Sequence, residues 1–279
     1  MSLEGLTPVA DVGVGAWIAP RLCGFGGKVC CIVPTGFAAY ARVLHPAVDD
    51  QGDPVTWTEV CQRTGSTPHP RMQWRSISRG WAGGDDPREG RLPAPELAAL
   101  LDVLTGFTAD GSDCYHAVWA GWGWLRLSPG GASVLYAERR WPWRRHRAMP
   151  AWYADGRWTR RRMWRSRRAR PGLAPRPAMP EEAQPWLRHP GRDYLLFHGP
   201  LHAAANIGDE LGGRFDLQGP NLLWPADGSW CVGTEIDFDS TLVAGSVEHI
   251  EAVLRAPGLE AWPVAVDDDL TVKGDQLSP

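Results

Sequence analysis

The amino-acid sequence predicts an α+β fold: a mixed, largely antiparallel sheet with a few short packing helices, interrupted by an Arg/Trp/Pro-rich insert. Three observations carry this. Short apolar or alternating stretches are interspersed with short amphipathic ones, without regular βαβ repetition. Residues 221–246, "NLLWPADGSWCVGTEIDFDSTLVAGS", read as a hairpin around the turn signal Asp227-Gly228. Residues 139–190 hold 15 Arg against Asp155, Glu181 and Glu182, with six of the 16 Trp and eight of the 25 Pro. That segment shows no sustained strand or helix period, and its prolines interrupt any long helix or inner strand.

The elements follow in chain order. Residues 1–26 read as an N-terminal leader, and 27–138 as the first part of the domain. "VCCIV" (29–33) is a short apolar run bounded by Gly27 and Pro34, expected as a buried strand. Phe37–Tyr40 reads as one helical turn, and "YARVLHPAV" as a second strand. "TWTEVCQRTG" (56–65) is a helix with a Thr cap and Gly65 past its end. "RMQWRSI" (71–77) is expected as a strand. "PAPELAALLDVLTGFT" (93–108) is the clearest helix, with Leu97, Leu100, Leu101 and Leu104 on one stripe and Gly106 ending it.

"CYHAVWAGWGWL" (114–125) is an aromatic strand. After the insert, 191–272 continues the same domain. "RDYLLFHGPL" is a strand that stops at Gly199-Pro200. Strand 230–237 alternates, with Val232, Ile236 and Phe238 on one face and Cys231, Gly233, Glu235 and Asp237 on the other. Ser246 caps a helix that turns Val247, Ile250, Val253 and Leu254 inward. "LEAWPVAV" (259–266) is a last strand, and 273–279 is expected to be disordered.

Composition narrows the class of protein more than its chemistry. The 279 residues are 43% apolar and 22% charged, ordinary values for a globular chain. No apolar run approaches the ~18 residues of a membrane helix, and the N-terminus lacks the pattern of a signal peptide. The expectation is a cytoplasmic protein without a membrane span. The six cysteines form no C-x-x-C pair and are expected as reduced thiols. All basic residues but Lys28 and Lys273 are Arg or His. The insert carries a local charge of +12, so the rest of the chain carries −15 of the overall −3. Three readings of the insert stay open: a contact to nucleic acid or an anionic surface, a tolerated solvated insertion, and a product of GC-rich DNA read out of frame.

Two motifs tempt a catalytic assignment. "GFGGKV" (24–29) lacks the spacing and the Ser or Thr of a phosphate-binding loop. "IDFDSTL" (236–242) resembles the nucleophile loop of haloacid-dehalogenase-type phosphatases. That resemblance implies Asp237 as nucleophile, Asp239 as general acid and base, and Mg²⁺ as helper. It covers about seven residues, and only 42 follow Asp237, too few for the βαβ units such a site requires. The acidic stripe Glu235, Asp237 and Asp239 remains, either as carboxylates that join His198, His202 or His249 at a divalent metal, or as a charged strand face that blocks edge pairing.

The stretches "VPTGFAAYARVLHPA" (33–47), "RDYLLFHGPL" and 221–246 together resemble a family of uncharacterised proteins from high-GC bacteria. The resemblance skips 139–190 and lends no catalytic residues. In that family "TEID" looks like part of a Trp-led strand. A fainter likeness, an early aromatic-rich turn and a late acidic hairpin before an amphipathic helix, is to the SUKH superfamily of interaction and immunity domains. The expectation is a non-catalytic module that binds another protein through Trp224, Trp230, Trp119 and Trp122, with no cofactor and no metal. The alternative is a divalent-metal-dependent hydrolase or phosphotransferase using Glu235, Asp237 and Asp239. A third is nucleic-acid contact through 139–190.

Overall fold

A computed structural model describes residues 2–122, 125, 185–211 and 214–277. Chain segments Met1–Leu125 and Pro180–Pro279 cluster as one unit. In chain order its strands are β1 (Ser2–Leu3), β2 (Thr7–Pro8), β3 (Ala39–Leu44), β4 (Ala47–Val48), β5 (Pro54–Val55), β6 (Cys114–Trp119), β7 (Leu187–His189) and β8 (Arg192–Gly199). Then come β9 (Ile207–Leu211), β10 (Arg214–Leu217), β11 (Leu222–Pro225), β12 (Cys231–Thr234), β13 (Ser240–Gly245) and β14 (Ala261–Pro263). The helices are α1 (Trp57–Thr64), α2 (Trp74–Ile77), α3 (Ala94–Thr105) and α4 (Val247–Arg255).

Nine strands form one sheet in the order β14-β3-β13-β12-β11-β6-β8-β2, with β7 also on β8. Every pairing in it is antiparallel. The predicted α+β class, an antiparallel sheet with a few short helices, is the observed one. The centre is the meander β11-β12-β13, whose residues are buried throughout. Alternation divides them between two faces. Leu223, Val232 and Val243 join Ala41 and Val43 under α3 and α4. Leu222, Trp224, Leu242 and Ala244 point the other way.

That second apolar face has to be covered, and residues 12–33 cover it. Ile18, Val29 and Val33 are fully buried there, so the expected leader is a packed layer of the fold. "VCCIV" is a 3₁₀ turn at Val29–Cys31, not a strand. The strand after it starts at Ala39, so no helical turn forms over 37–40. "RMQWRSI" contains α2 in place of a strand, because Trp74 and Ile77, three apart, both turn into the cluster under α1. In α4, Ile250 and Val253 are buried, but Val247 is exposed.

Local chemistry sets the helix ends. Thr56 and Glu59 form a reciprocal capping box on α1, and Gly65 closes it at φ 75°, a left-handed conformation that glycine adopts without strain. Glu260 reinforces the same end from beside β14, accepting from the amides of Trp57 (2.5 Å) and Thr58 (2.8 Å). The segment expected to be disordered is anchored at Asp275: this buried residue accepts from the Gln73 amide (3.0 Å) and pairs with His69 Nε2 (3.1 Å).

β6 and β8 are neighbours, with Trp119 opposite Tyr194. The chain leaves the sheet at the end of β6 and re-enters it at β7, which pairs with the same end of β8. An insertion at that end does not break the ladder. β7 brings Leu187–His189, the end of the expected insert, into the sheet. Residues 139–184 lie outside the described residues, as does the proposed nucleic-acid contact they would make.

Candidate functional site

The acidic stripe is dismantled by a turn. β12 ends at Thr234, and Phe238 N donates to Glu235 O (3.1 Å), closing a β-turn over 235–238. Glu235, Asp237 and Asp239 therefore do not share a strand face. Arg192 Nε donates to Glu235 (3.0 Å), its Nη2 reaches the same oxygen, and Nη2 also meets Asp237 (2.8 Å). Burial works against the Arg192 charge, but the hydrogen bond to Glu235 and the two carboxylates outweigh it and raise its pKa. The guanidinium also lies over Phe25, 4.8 Å from the ring centre.

Asp239 turns to a different cation. Arg42, 1% exposed, donates to Asp239 (3.4 Å), Ser240 Oγ (3.0 Å), Pro70 O (3.1 Å) and Met72 O (2.9 Å). Burial pushes the Asp239 carboxyl upward, and Arg42 counters it. Three carboxylates are thus shared between two arginines on different elements. An oxygen held by a guanidinium is not a free base or metal ligand.

The histidines proposed to join them do not converge. His198 Nε2 pairs with Asp113 (2.8 Å), His202 Nε2 with Thr105 Oγ1 (3.2 Å), and buried His249 stacks on Phe107 at 4.7 Å. Among the described residues no group of three His, Cys, Asp or Glu side chains is placed to hold a metal ion.

The four candidate tryptophans divide. Trp224 and Trp230 are 1% and 0% exposed. They belong to the core and present no surface to a ligand. Trp119 and Trp122 are half-buried and pack edge to face at 5.4 Å. Asn221 Oδ1 accepts from the Trp119 amide (2.9 Å) and the Trp122 indole (3.0 Å), fixing both where the chain leaves β6.

An open surface feature that was not foreseen is a groove of about 740 Å³ between the loop 23–31 and the C-terminal segment 267–273. The two segments are zipped together by Val29 N to Asp268 O (3.1 Å), Cys30 N to Val266 O (2.9 Å) and Leu270 N to Gly27 O (2.8 Å). Cys23 and Cys30 form a disulfide, which corrects the expectation of six reduced thiols. Gly24, at φ 101°, reverses the chain, and Cys23 N to Cys30 O (2.8 Å) brings the two Cα atoms to 5.3 Å, within disulfide reach.

Cys31 remains a free, half-buried thiol in the same groove, whereas Cys61, Cys114 and Cys231 are buried in the core. Phe25 (62% exposed) and Val272 (67% exposed) flank the opening. Both lysines of the chain, Lys28 and Lys273, line it with Asp267 and Asp269. Burial opposes the Asp269 charge, but the Thr271 hydrogen bonds and then Lys28 and Lys273 outweigh it, so its carboxyl sits below the usual range.

No family model matches this chain, and no curated protein or solved structure matches it either.

Proposed function

We propose that this protein is a non-catalytic binding module, and that it takes a segment of another polypeptide into the groove between 23–31 and 267–273. The observation that carries the reading is the pair Phe25 and Val272, left open to solvent on the two flanks of one groove. Among the described residues only five large apolar side chains are exposed, and these are two of them. With about two thirds of each side chain still exposed, covering each stabilises by about 1–2 kcal/mol. A partner that covers both therefore gains about 2–4 kcal/mol before the cost of association.

The shape favours a chain over a small molecule. Small-ligand sites enclose most of their ligand, and this groove is open along its length. Its rim carries both signs of charge, Lys28 and Lys273 against Asp267 and Asp269, which suits a polar peptide backbone with mixed side chains. The carboxylates of the acidic turn, by contrast, are already paired with Arg192 and Arg42.

A displayed random-peptide library tests it. Selection on the intact protein is expected to enrich peptides with an apolar residue beside charged ones. A Phe25→Asp, Val272→Asp protein that still folds is expected to lose them. Enriched peptides that bind this double variant as tightly as the parent would refute the assignment, as would no enrichment at all.

A further inference from the structure

We infer that the Cys23–Cys30 disulfide is a thiol-exchange site, and that its reactant is a small peptide-like thiol carrying both ammonium and carboxylate groups. The site lies in the groove of the proposed function and rests on that groove being open. It does not depend on a polypeptide ever occupying it.

The two sulfurs are not equivalent. Cys23 is exposed, whereas Cys30 is 2% exposed. An incoming thiolate therefore meets Cys23 first. Attack on a disulfide sulfur needs access, and accessible disulfides are the exchangeable ones. A fully buried structural bond offers no such path. Here the bond closes an eight-residue loop that forms one wall of the groove.

The step balances without an outside oxidant. The small thiol loses its proton, and its sulfur attacks Cys23 Sγ. A new S–S bond forms to Cys23, the Cys23–Cys30 bond breaks, and the electron pair leaves on Cys30 Sγ, which takes up the proton. One disulfide is consumed and one formed. The product carries the small thiol on Cys23, inside the groove and beside Phe25.

The class of thiol follows from the rim. Lys28 and Lys273 are exposed there, and every other basic side chain of the protein is Arg or His. Asp267 and Asp269 stand in the same rim. Two cations and two anions lining the groove that holds Cys23 match a zwitterionic peptide thiol better than an uncharged one. Glutathione has this chemistry and serves as the test compound, and 2-mercaptoethanol serves as the neutral control.

The experiment incubates the air-oxidised native protein with each thiol and traps released Cys30 with iodoacetamide. Peptide mass mapping then locates the products. The expected result is a glutathionyl group on Cys23 paired with an alkylated Cys30. The rate ratio of glutathione to 2-mercaptoethanol is expected to exceed that on the urea-unfolded chain by about fivefold or more. Lys28→Gln, Lys273→Gln is expected to abolish that excess, slowing glutathione more than 2-mercaptoethanol, whose attacking thiolate carries a single charge. Cys31→Ser is expected to leave the Cys23 adduct in place.

Six free thiols in the air-oxidised protein would overturn the inference. So would exchange that occurs only in urea, an adduct on Cys31 alone, or a ratio no higher than in the unfolded chain. Exchange is read by mass and peptide binding by affinity, so either can fail without the other.

Discussion

Replacing Arg42 by Met separates a structural role for Asp239 from a catalytic one. Met keeps the aliphatic stem against Trp57 but removes the guanidinium, its cation–π contact at 5.4 Å and all four hydrogen bonds. Asp239 is then left with desolvation, opposed only by a backbone hydrogen bond and the weaker charge of Arg75. Breaking a buried pair from one side costs about 3–5 kcal/mol. Asp239 keeps 22% of its side-chain surface in contact with solvent, which places the loss toward the lower end, at about 3 kcal/mol.

For a unit of this size that corresponds to a fall in Tm of ~6–12 °C. Urea unfolding followed by Trp fluorescence measures it, with an unchanged slope. The loss also has a pH signature. Without Arg42 the folded Asp239 has a pKa further above its unfolded value, so the folded state binds the extra proton. The deficit is therefore full at pH 7 and shrinks as the pH falls toward the ordinary carboxylate range. Adding Asp239→Asn to Arg42→Met is expected to recover about 1 kcal/mol or more. A loss below ~1 kcal/mol at pH 7, or a deficit identical at pH 7 and pH 5, refutes the reasoning.

Three further outcomes are expected. Burial holds His45, His116, His189 and His249 each at about 4 against an ordinary 6.5; the unfolded chain then binds more protons between these values, so stability is full above pH 6.5 and falls toward pH 4, and a urea midpoint that stays flat from pH 7 to 5 contradicts this. Glu260→Gln removes the carboxylate that receives Trp57 N and Thr58 N at the start of α1, which is expected to cost about 1–2 kcal/mol and to speed amide exchange in that first turn; unchanged exchange contradicts it. Asp275→Ala leaves the Gln73 amide without its acceptor, with an expected loss of about 1–3 kcal/mol in chemical denaturation and release of 273–277 to proteolysis; a protease-resistant tail would show that other contacts hold it.

What could be read from the sequence was whatever is decided within a few residues. The Thr56 cap with Gly65 past the helix end, the Asp227-Gly228 turn and the Ser246 cap are local chemistry, and each stands where the residues placed it. "VCCIV" failed because a five-residue apolar run fits a strand or a buried helical turn equally well. The i, i+3 spacing of Trp74 and Ile77 already carried the helical signal that the strand expectation for 71–77 passed over. The turn at 235–238 contains no Gly, Pro or Asn, so the alternation of "TEIDFD" ran through it unmarked.

Long-range pairing hid the rest. The groove exists because residues 27–30 bond to 266–270, far apart in the chain. The Asp275 anchor on Gln73 spans a similar distance. Within the loop itself, two cysteines separated by a glycine-rich stretch were the available signal for the Cys23–Cys30 bond.

The most direct measurement is the dissociation constant of one selected peptide, taken at fixed ionic strength against three folded proteins. These are the parent, Phe25→Asp with Val272→Asp, and Asp237→Asn. Binding in the groove predicts at least a tenfold loss for the double variant, about 1.4 kcal/mol, and a change within about twofold for Asp237→Asn. The reverse pattern, with affinity lost at Asp237 and kept at Phe25 and Val272, would move the binding face to the acidic turn and contradict the proposal.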